Sequence, residues 1–165
     1  TLLSCKAHGA GKIIVADLID AKLEIAKQIG ADVVINSGRE DVFEAVKAAT
    51  NGEGAEKVFE TAGSAVTIAQ TPFLVKRGGT IVLVGISVKQ EIEYNFAQIM
   101  DKEATIKSVF RYRNIYPRAI AAVAKGAIDV KPLVTHEFDF DHIQDAYQEA
   151  LNNKTDALKV VVKVK

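Results

Sequence analysis

The sequence has 165 residues, 48% of them apolar and 25% charged, enough to bury roughly 70% of the unfolded surface in one globular core. Lysines plus arginines number 21 and acids 21, so no excess positive field draws in phosphate backbones or anionic membranes, and neither nucleic acid nor a membrane is expected as partner. A single cysteine, Cys5, excludes a disulfide framework and falls far short of a zinc cluster. No apolar run approaches the roughly 18 residues of a membrane span, no basic-then-apolar leader precedes the first strand, and a cytoplasmic protein is expected.

In chain order, "KIIVAD" after Gly11 is a short β-branched run of the kind buried on both faces of a parallel sheet. "IDAKLEIAKQIG" follows with Leu23, Ile25, Ala26 and Ile29 as an apolar stripe, and Gly30 ends the helix. "ADVVIN" is a second strand, and "EDVFEAVKAATNG" repeats the helical period through Val42, Phe43, Val46 and Ala49 until Asn51-Gly52 stops it. "EKVFETAG" reads as a strand closing on a small-residue turn, and residues 64–76 as a helix that Pro72 kinks or interrupts. "RGGTIVLVGI" opens with a glycine turn and is the clearest buried strand of the chain.

Further on, "ATIKSVF" supplies a strand, Pro117 opens a helix that Lys125-Gly126 closes, and "VTHEFDF" is extended. "DHIQDAYQEALNN" begins with Asp141 and Gln144, three apart, as in a capping box, and the terminal "LKVVVKV" alternates like an edge strand. This β-α alternation, joined by right-handed crossovers, predicts an α/β fold: an open, doubly wound parallel sheet of Rossmann type.

Ligands of such sheets sit beyond the carboxyl ends of the strands, where strand order reverses. Asp17 stands at that kind of position. Its carboxylate can accept both ribose hydroxyls of an adenosine, a charged hydrogen bond being worth about 1.5–3 kcal/mol. A 2′-phosphate about 4 Å away would meet repulsion of about 4 kcal/mol per charge pair at an effective dielectric of 20, so NAD is expected over NADP. Lys22, about one helical turn further on, offers a cation that weakens this preference. In a second reading, Asp17 only caps the helix that starts near Ile19.

The glycine fingerprint G-x-G-x-x-G that should precede such an acid by roughly 20 residues is not found, because only "TLLSCKAHGAGK" stands before the strand. Gly9 and Gly11 read instead as a helix-to-strand turn. The chain is therefore expected to start inside the first helix of the domain, as a piece of a longer protein. In strand order 3-2-1-4-5-6 the missing strand is central, which leaves its two neighbours without their shared partner.

"VADLIDAKLEIAKQIGAD", "ETAGS", "RGGTIVLVGI" and "VKPLVTHEF" together resemble the coenzyme domain of the medium-chain zinc-dependent alcohol dehydrogenases, over essentially the whole chain. "VFRYRNIYP", residues 109–117, resembles the sorbitol (polyol) dehydrogenase branch. The resemblance implies an NAD-binding domain over 1–165, with a core to residue 135 and a segment 136–165 reaching toward a catalytic domain. It implies that Asp17 binds the ribose and Lys22 lies beside the adenosine, that Val84, Gly85 and Ile86 lie along the nicotinamide side, and that Val109, Phe110 and Arg111 close over the cofactor. Arg111 and Tyr112 are then placed where a polyhydroxylated substrate reaches. A residue-level alternative makes Arg111 and Arg113 solvated charges and Tyr112 and Tyr116 packing residues.

The family's zinc ligands belong to a separate domain, and His8, His136 and His142 lack metal spacing here. No catalytic residue and no metal ligand is therefore expected in this chain, His136 is read as structural, and the chain alone should not turn over substrate. For the complete enzyme the resemblance implies hydride transfer from a zinc-bound alkoxide of a polyol such as sorbitol or xylitol to NAD, giving a ketose. It also implies a homo-oligomer, dimer or tetramer, with residues 90–95, "QEIEYN", as a candidate edge pairing. Two other classes fit the strand-ending acid: a non-catalytic NAD- or adenosine-sensing module, and an S-adenosylmethionine methyltransferase.

Overall fold

The computed structural model describes residues 1–164. The β-branched runs form strands and the segments of helical period form helices. In order these are α1 (Leu2–Ala7), β1 (Ile14–Asp17), α2 (Asp20–Gln28), β2 (Val33–Asn36), α3 (Val42–Ala49), β3 (Ala55–Glu60), α4 (Ala65–Leu74) and β4 (Val75–Leu83). They continue with α5 (Phe96–Asp101), β5 (Thr105–Ser108), α6 (Tyr116–Ala124), β6 (His136–Asp139), α7 (Ile143–Asn152) and β7 (Val160–Lys163). Every described strand pairing is parallel, as Rossmann-type βαβ units require. The strands form three separate sheets, β1-β2, β3-β4-β5 and β6-β7.

The chain divides into two compact units, residues 1–40 with 115 onward, and residues 41–114. In the first unit Ile14 lies opposite Val33 and Asp17 opposite Asn36, so both strands end at one level. Helix α2 packs on the pair through buried Leu23 and Ala26, and Ile35 is buried beneath it. Burial of "KIIVAD" on both faces is not realised: Ile14 and Val15 are half-buried and Ala16 is exposed, because the pair has only two strands. Gly9, with φ +76°, turns the chain out of α1 as expected.

The same unit holds β6-α7-β7, a second parallel unit in which α7 buries Ala146. The terminal strand is thus the partner of β6. The capping box at Asp141 does not form. A 3₁₀ turn over Phe140–His142 delays the helix, leaving His142 at the N-cap without a side-chain cap bond. Pro117 opens α6 and Gly126, with φ +73°, follows its end.

In the second unit β4 is central, and Val75 and Ile81 are fully buried. Asp41 caps α3 by accepting from the Phe43 and Glu44 amides, and Ser64 caps α4 by accepting from Thr67. Helix α4 contains Pro72 and stops two residues later, at Leu74. β4 then begins at Val75, earlier than the glycine turn suggested. Ala55 pairs with Val75 but Lys57 with Thr80, so Gly78 and Gly79 lie in a register shift inside the strand. Residues 90–95 form neither strand nor helix; Tyr94 donates to or accepts from Thr71 at 2.8 Å.

Candidate functional site

Parallel pairing brings the carboxyl ends of β3, β4 and β5 side by side, since Glu60 lies opposite Leu83 and Leu83 opposite Ser108. The ladder runs one bond further, from the Val109 amide to the Leu83 carbonyl at 2.9 Å. Val84, Gly85 and Ile86 therefore leave β4 beside Val109, Phe110 and Arg111 leaving β5. Six of the expected residues meet at one strand end. Ile86, Val109 and Phe110 are exposed, and the Arg111 guanidinium stacks 4.9 Å over the Phe110 ring. Tyr112 follows, also exposed.

Gly85 is fixed there by contact. A Cβ on it would lie 2.2 Å from the Gly63 amide nitrogen, and one on Gly63, where φ is +69°, 2.6 Å from the Ile86 carbonyl oxygen. The turns after β3 and β4 touch backbone to backbone, which only glycine allows.

In the first unit Asp17 ends β1 half-buried, and its Oδ1 accepts from the Ile19 amide at 3.0 Å. This bond closes the turn before α2 and does not cap the helix: Ile19 is the N-cap, and no side chain bonds to the first-turn amides, so the capping reading is not realised. A carboxylate has about four lone-pair sites, so this bond leaves capacity for sugar hydroxyls. Lys22 lies in the first turn of α2, half-buried. The Asp17 turn is latched to the segment after β2. Asn36 donates from Nδ2 to the Leu18 carbonyl at 3.3 Å and to Asp20 Oδ1 at 2.7 Å, and Arg39 forks onto both Asp20 oxygens at 2.7 and 2.5 Å. Those bonds, the arginine's first, hold the Asp20 carboxyl below its ordinary range.

One functional candidate escaped the sequence reading: Glu60, 4% exposed at the end of β3. The signal was present: an acid closing a strand, as at Asp17, here followed by a turn of small residues. Among the described residues no group of three or more His, Cys, Asp or Glu side chains can hold a metal ion. His136 instead faces Glu149 at 3.3 Å and Thr135 at 3.0 Å, a structural setting. No described helix is long and apolar enough to cross a membrane.

Residues 1–125 match the zinc-binding dehydrogenase family model. The chain belongs to the zinc-binding dehydrogenase family. It is 47% identical over 164 residues to an uncharacterized zinc-type alcohol dehydrogenase-like protein, YdjJ, of Escherichia coli, covering 99% of this chain and 47% of that protein. It is 41% identical over 159 residues to a sorbitol dehydrogenase of Bacillus subtilis, covering 96% and 45%. Among solved structures, a short chain alcohol dehydrogenase (rspB) of Escherichia coli complexed with NADH superposes with TM-score 0.89 at 30% identity, over 99% of this chain and 48% of that one. The chain spans about half the length of the curated relatives it matches.

Proposed function

We propose that this chain is the coenzyme-binding part, over residues 1–165, of a longer NAD-dependent dehydrogenase that oxidises a secondary alcohol of a polyol to a ketose. The observation that carries it is Asp17, a carboxylate at the end of a parallel strand with one oxygen engaged by its own turn and acceptor capacity left over. Each of the two units offers residues that fit part of a dinucleotide. Asp17 accepts from the adenosine ribose, Lys22 lies beside it, and the peptide groups of Val84, Gly85 and Ile86 orient the nicotinamide. Val109, Phe110 and Arg111 cover the cofactor.

NAD, when bound, supplies the hydride acceptor. The chain's own part is to bind and orient it, and Arg111 and Tyr112 meet the polyol. Zinc does not fit among the described residues, so in this reading it belongs to residues outside this chain and no step through it is assigned here. The names of the relatives, sorbitol dehydrogenases and D-xylulose reductases, support the polyol as substrate class. A homo-oligomer in the cytoplasm completes the proposal; sedimentation of the full-length protein as a monomer would remove the oligomer.

The test is the full-length protein assayed with NAD, NADP and a panel of sugar alcohols. Asp17→Ala should weaken NAD binding by about 1.5–3 kcal/mol, roughly 10- to 150-fold in Kd, and narrow the preference over NADP. Arg111→Ala should lower polyol turnover more than NAD affinity. Unchanged NAD affinity in Asp17→Ala leaves that residue only its bond to the Ile19 amide, and no turnover of any polyol refutes the substrate class.

A further inference from the structure

Glu60 is a buried acid for which none of the described ion pairs supplies a cation. Its neighbours are donors. Oε1 accepts from the Ala62 amide at 3.0 Å, the Gly63 amide at 2.9 Å and the Thr67 hydroxyl at 2.7 Å, and Oε2 lies 3.2 Å from the Gly63 amide. The Ser64 hydroxyl, 2.8 Å from Thr67 Oγ1, is the donor to it when Thr67 donates onward to Glu60. The side chain thus gathers the whole turn between β3 and α4.

The main chain of the same residue reaches the neighbouring strand. The Glu60 carbonyl accepts from the Val84 amide at 2.8 Å and the Gly85 amide at 3.0 Å. Gly85 presses on both Gly63 and the carboxylate, since a Cβ there would stand 2.7 Å from Gly63 Cα and 2.8 Å from Glu60 Oε2. Side chain, carbonyl and glycine contact close one circuit: 60 to 62, 63 and 67, 63 to 85–86, and 84–85 back to 60. Burying a carboxylate without a counter-charge is costly unless hydrogen bonds satisfy it. A turn that needed only an N-cap already has Ser64.

We propose that Glu60 is a positioning residue for the coenzyme: it holds the turn after β3 and the end of β4 as one preformed wall, so that Val84, Gly85 and Ile86 stand ready before the dinucleotide arrives. This rests on the functional reading above. Preorganisation raises affinity by removing the ordering that binding would otherwise require. Loss of Glu60 should therefore appear in cofactor affinity more than in the rate of the chemical step.

The test uses the full-length protein, with NAD titrated well below the melting temperature and steady-state kinetics in parallel. Glu60→Leu, similar in size but without acceptors, should raise the Kd and KM for NAD about tenfold or more while kcat changes less than about threefold. Glu60→Gln keeps an acceptor at Oε1 and should bring the Kd back to within about threefold of wild type. Should Glu60→Leu not fold, Thr67→Val removes one donor from the carboxylate and should still raise Kd about threefold. A role confined to stability would lower Tm in these variants and leave the Kd of the folded protein unchanged, which overturns the inference. Loss of NAD binding in Asp17→Ala but not in Glu60→Leu or Thr67→Val refutes the positioning role alone. A wild-type protein that does not bind NAD refutes the functional reading and this inference together.

Discussion

Strands β1 and β3 each end in an acid before a turn, and these two turns are built on opposite principles. Asp17 keeps its turn with a single bond to Ile19, and side chains do the rest: Asn36 reaches across and Arg39 clasps Asp20, the latter pair being 65% and 61% exposed. Glu60 is buried, and its turn meets the end of β4 through peptide groups and two glycines with no room for a methyl. The first is a latch of charged side chains in water, where screening and side-chain entropy leave little net energy. The second is an interlock whose parts have no alternative position. An exposed latch tolerates substitution and a changing ligand geometry, whereas a buried interlock holds one geometry and fails when any member changes.

The interlock is most vulnerable at Gly85. Gly85→Ala places a methyl 2.2 Å from the Gly63 nitrogen, a distance that only movement of one strand end relieves. Destabilisation of about 3 kcal/mol or more is expected, read by thermal or denaturant unfolding. A loss of about 0.5 kcal/mol or less, the range of ordinary surface changes, would show that the two turns are not locked. The closeness of Gly63 and Gly85 has no sequence signature beyond the two glycines themselves, each of which reads as an ordinary strand-end turn.

Much of the fold was legible because "KIIVAD", "ADVVIN" and "TIVLVG" carry the β-branched runs of parallel strands and the segments between them the helical period. The parallel pairing and the strand-end position of Asp17 follow from that alternation, whereas Val84–Ile86 and Val109–Arg111 are singled out only by the family resemblance. What escaped is local. Helix α5 has six residues, too few for a period to emerge, although Asn95 and Gln98 mark its start and Asn95 Oδ1 accepts from the Gln98 amide. Asp141 has capping chemistry, but the chain spends its first turn as 3₁₀ and the helix starts later. Glu60 escaped because its donors lie on its own turn and the first turn of α4 and its carbonyl partners just past the end of β4, a convergence that exists only after strand pairing.

A smaller effect sharpens the contrast from inside the second unit. Lys102 sends its ammonium to the carbonyls of Phe73 at 2.9 Å and Val75 at 2.6 Å, closing the junction between α4 and β4. Burial pushes its pKa down, and Arg77 nearby acts the same way. It is a side-chain latch like Arg39, but anchored on peptide carbonyls, one of them in a fully buried residue. Lys102→Met keeps the apolar stem and removes the donors, and should cost about 1–2 kcal/mol, measured by chemical denaturation. A neutral outcome would mean that water replaces the ammonium at both carbonyls and that this junction behaves like the exposed latch.

The smallest effect at neutral pH is expected at Asp20. Its carboxyl titrates below the ordinary 3.8 because Arg39, and then Asn36, donate to its ionised form. A depressed carboxylate stabilises the fold above its unfolded pKa and loses that contribution as pH falls through the folded value. The window therefore lies below about pH 3.8. Asp20→Asn removes the titrating group, so the mutant should approach wild-type stability as the pH falls through that window and differ slightly above it. Melting temperatures of both proteins from neutral to acid pH check this. At about 0.5 M salt, where the Debye length is only about 4 Å, the difference should shrink because the pair is exposed. A gap that persists below the window would mean that Asp20 acts through the neutral hydrogen bond to Asn36, making the latch of the first turn less electrostatic than its arginine suggests.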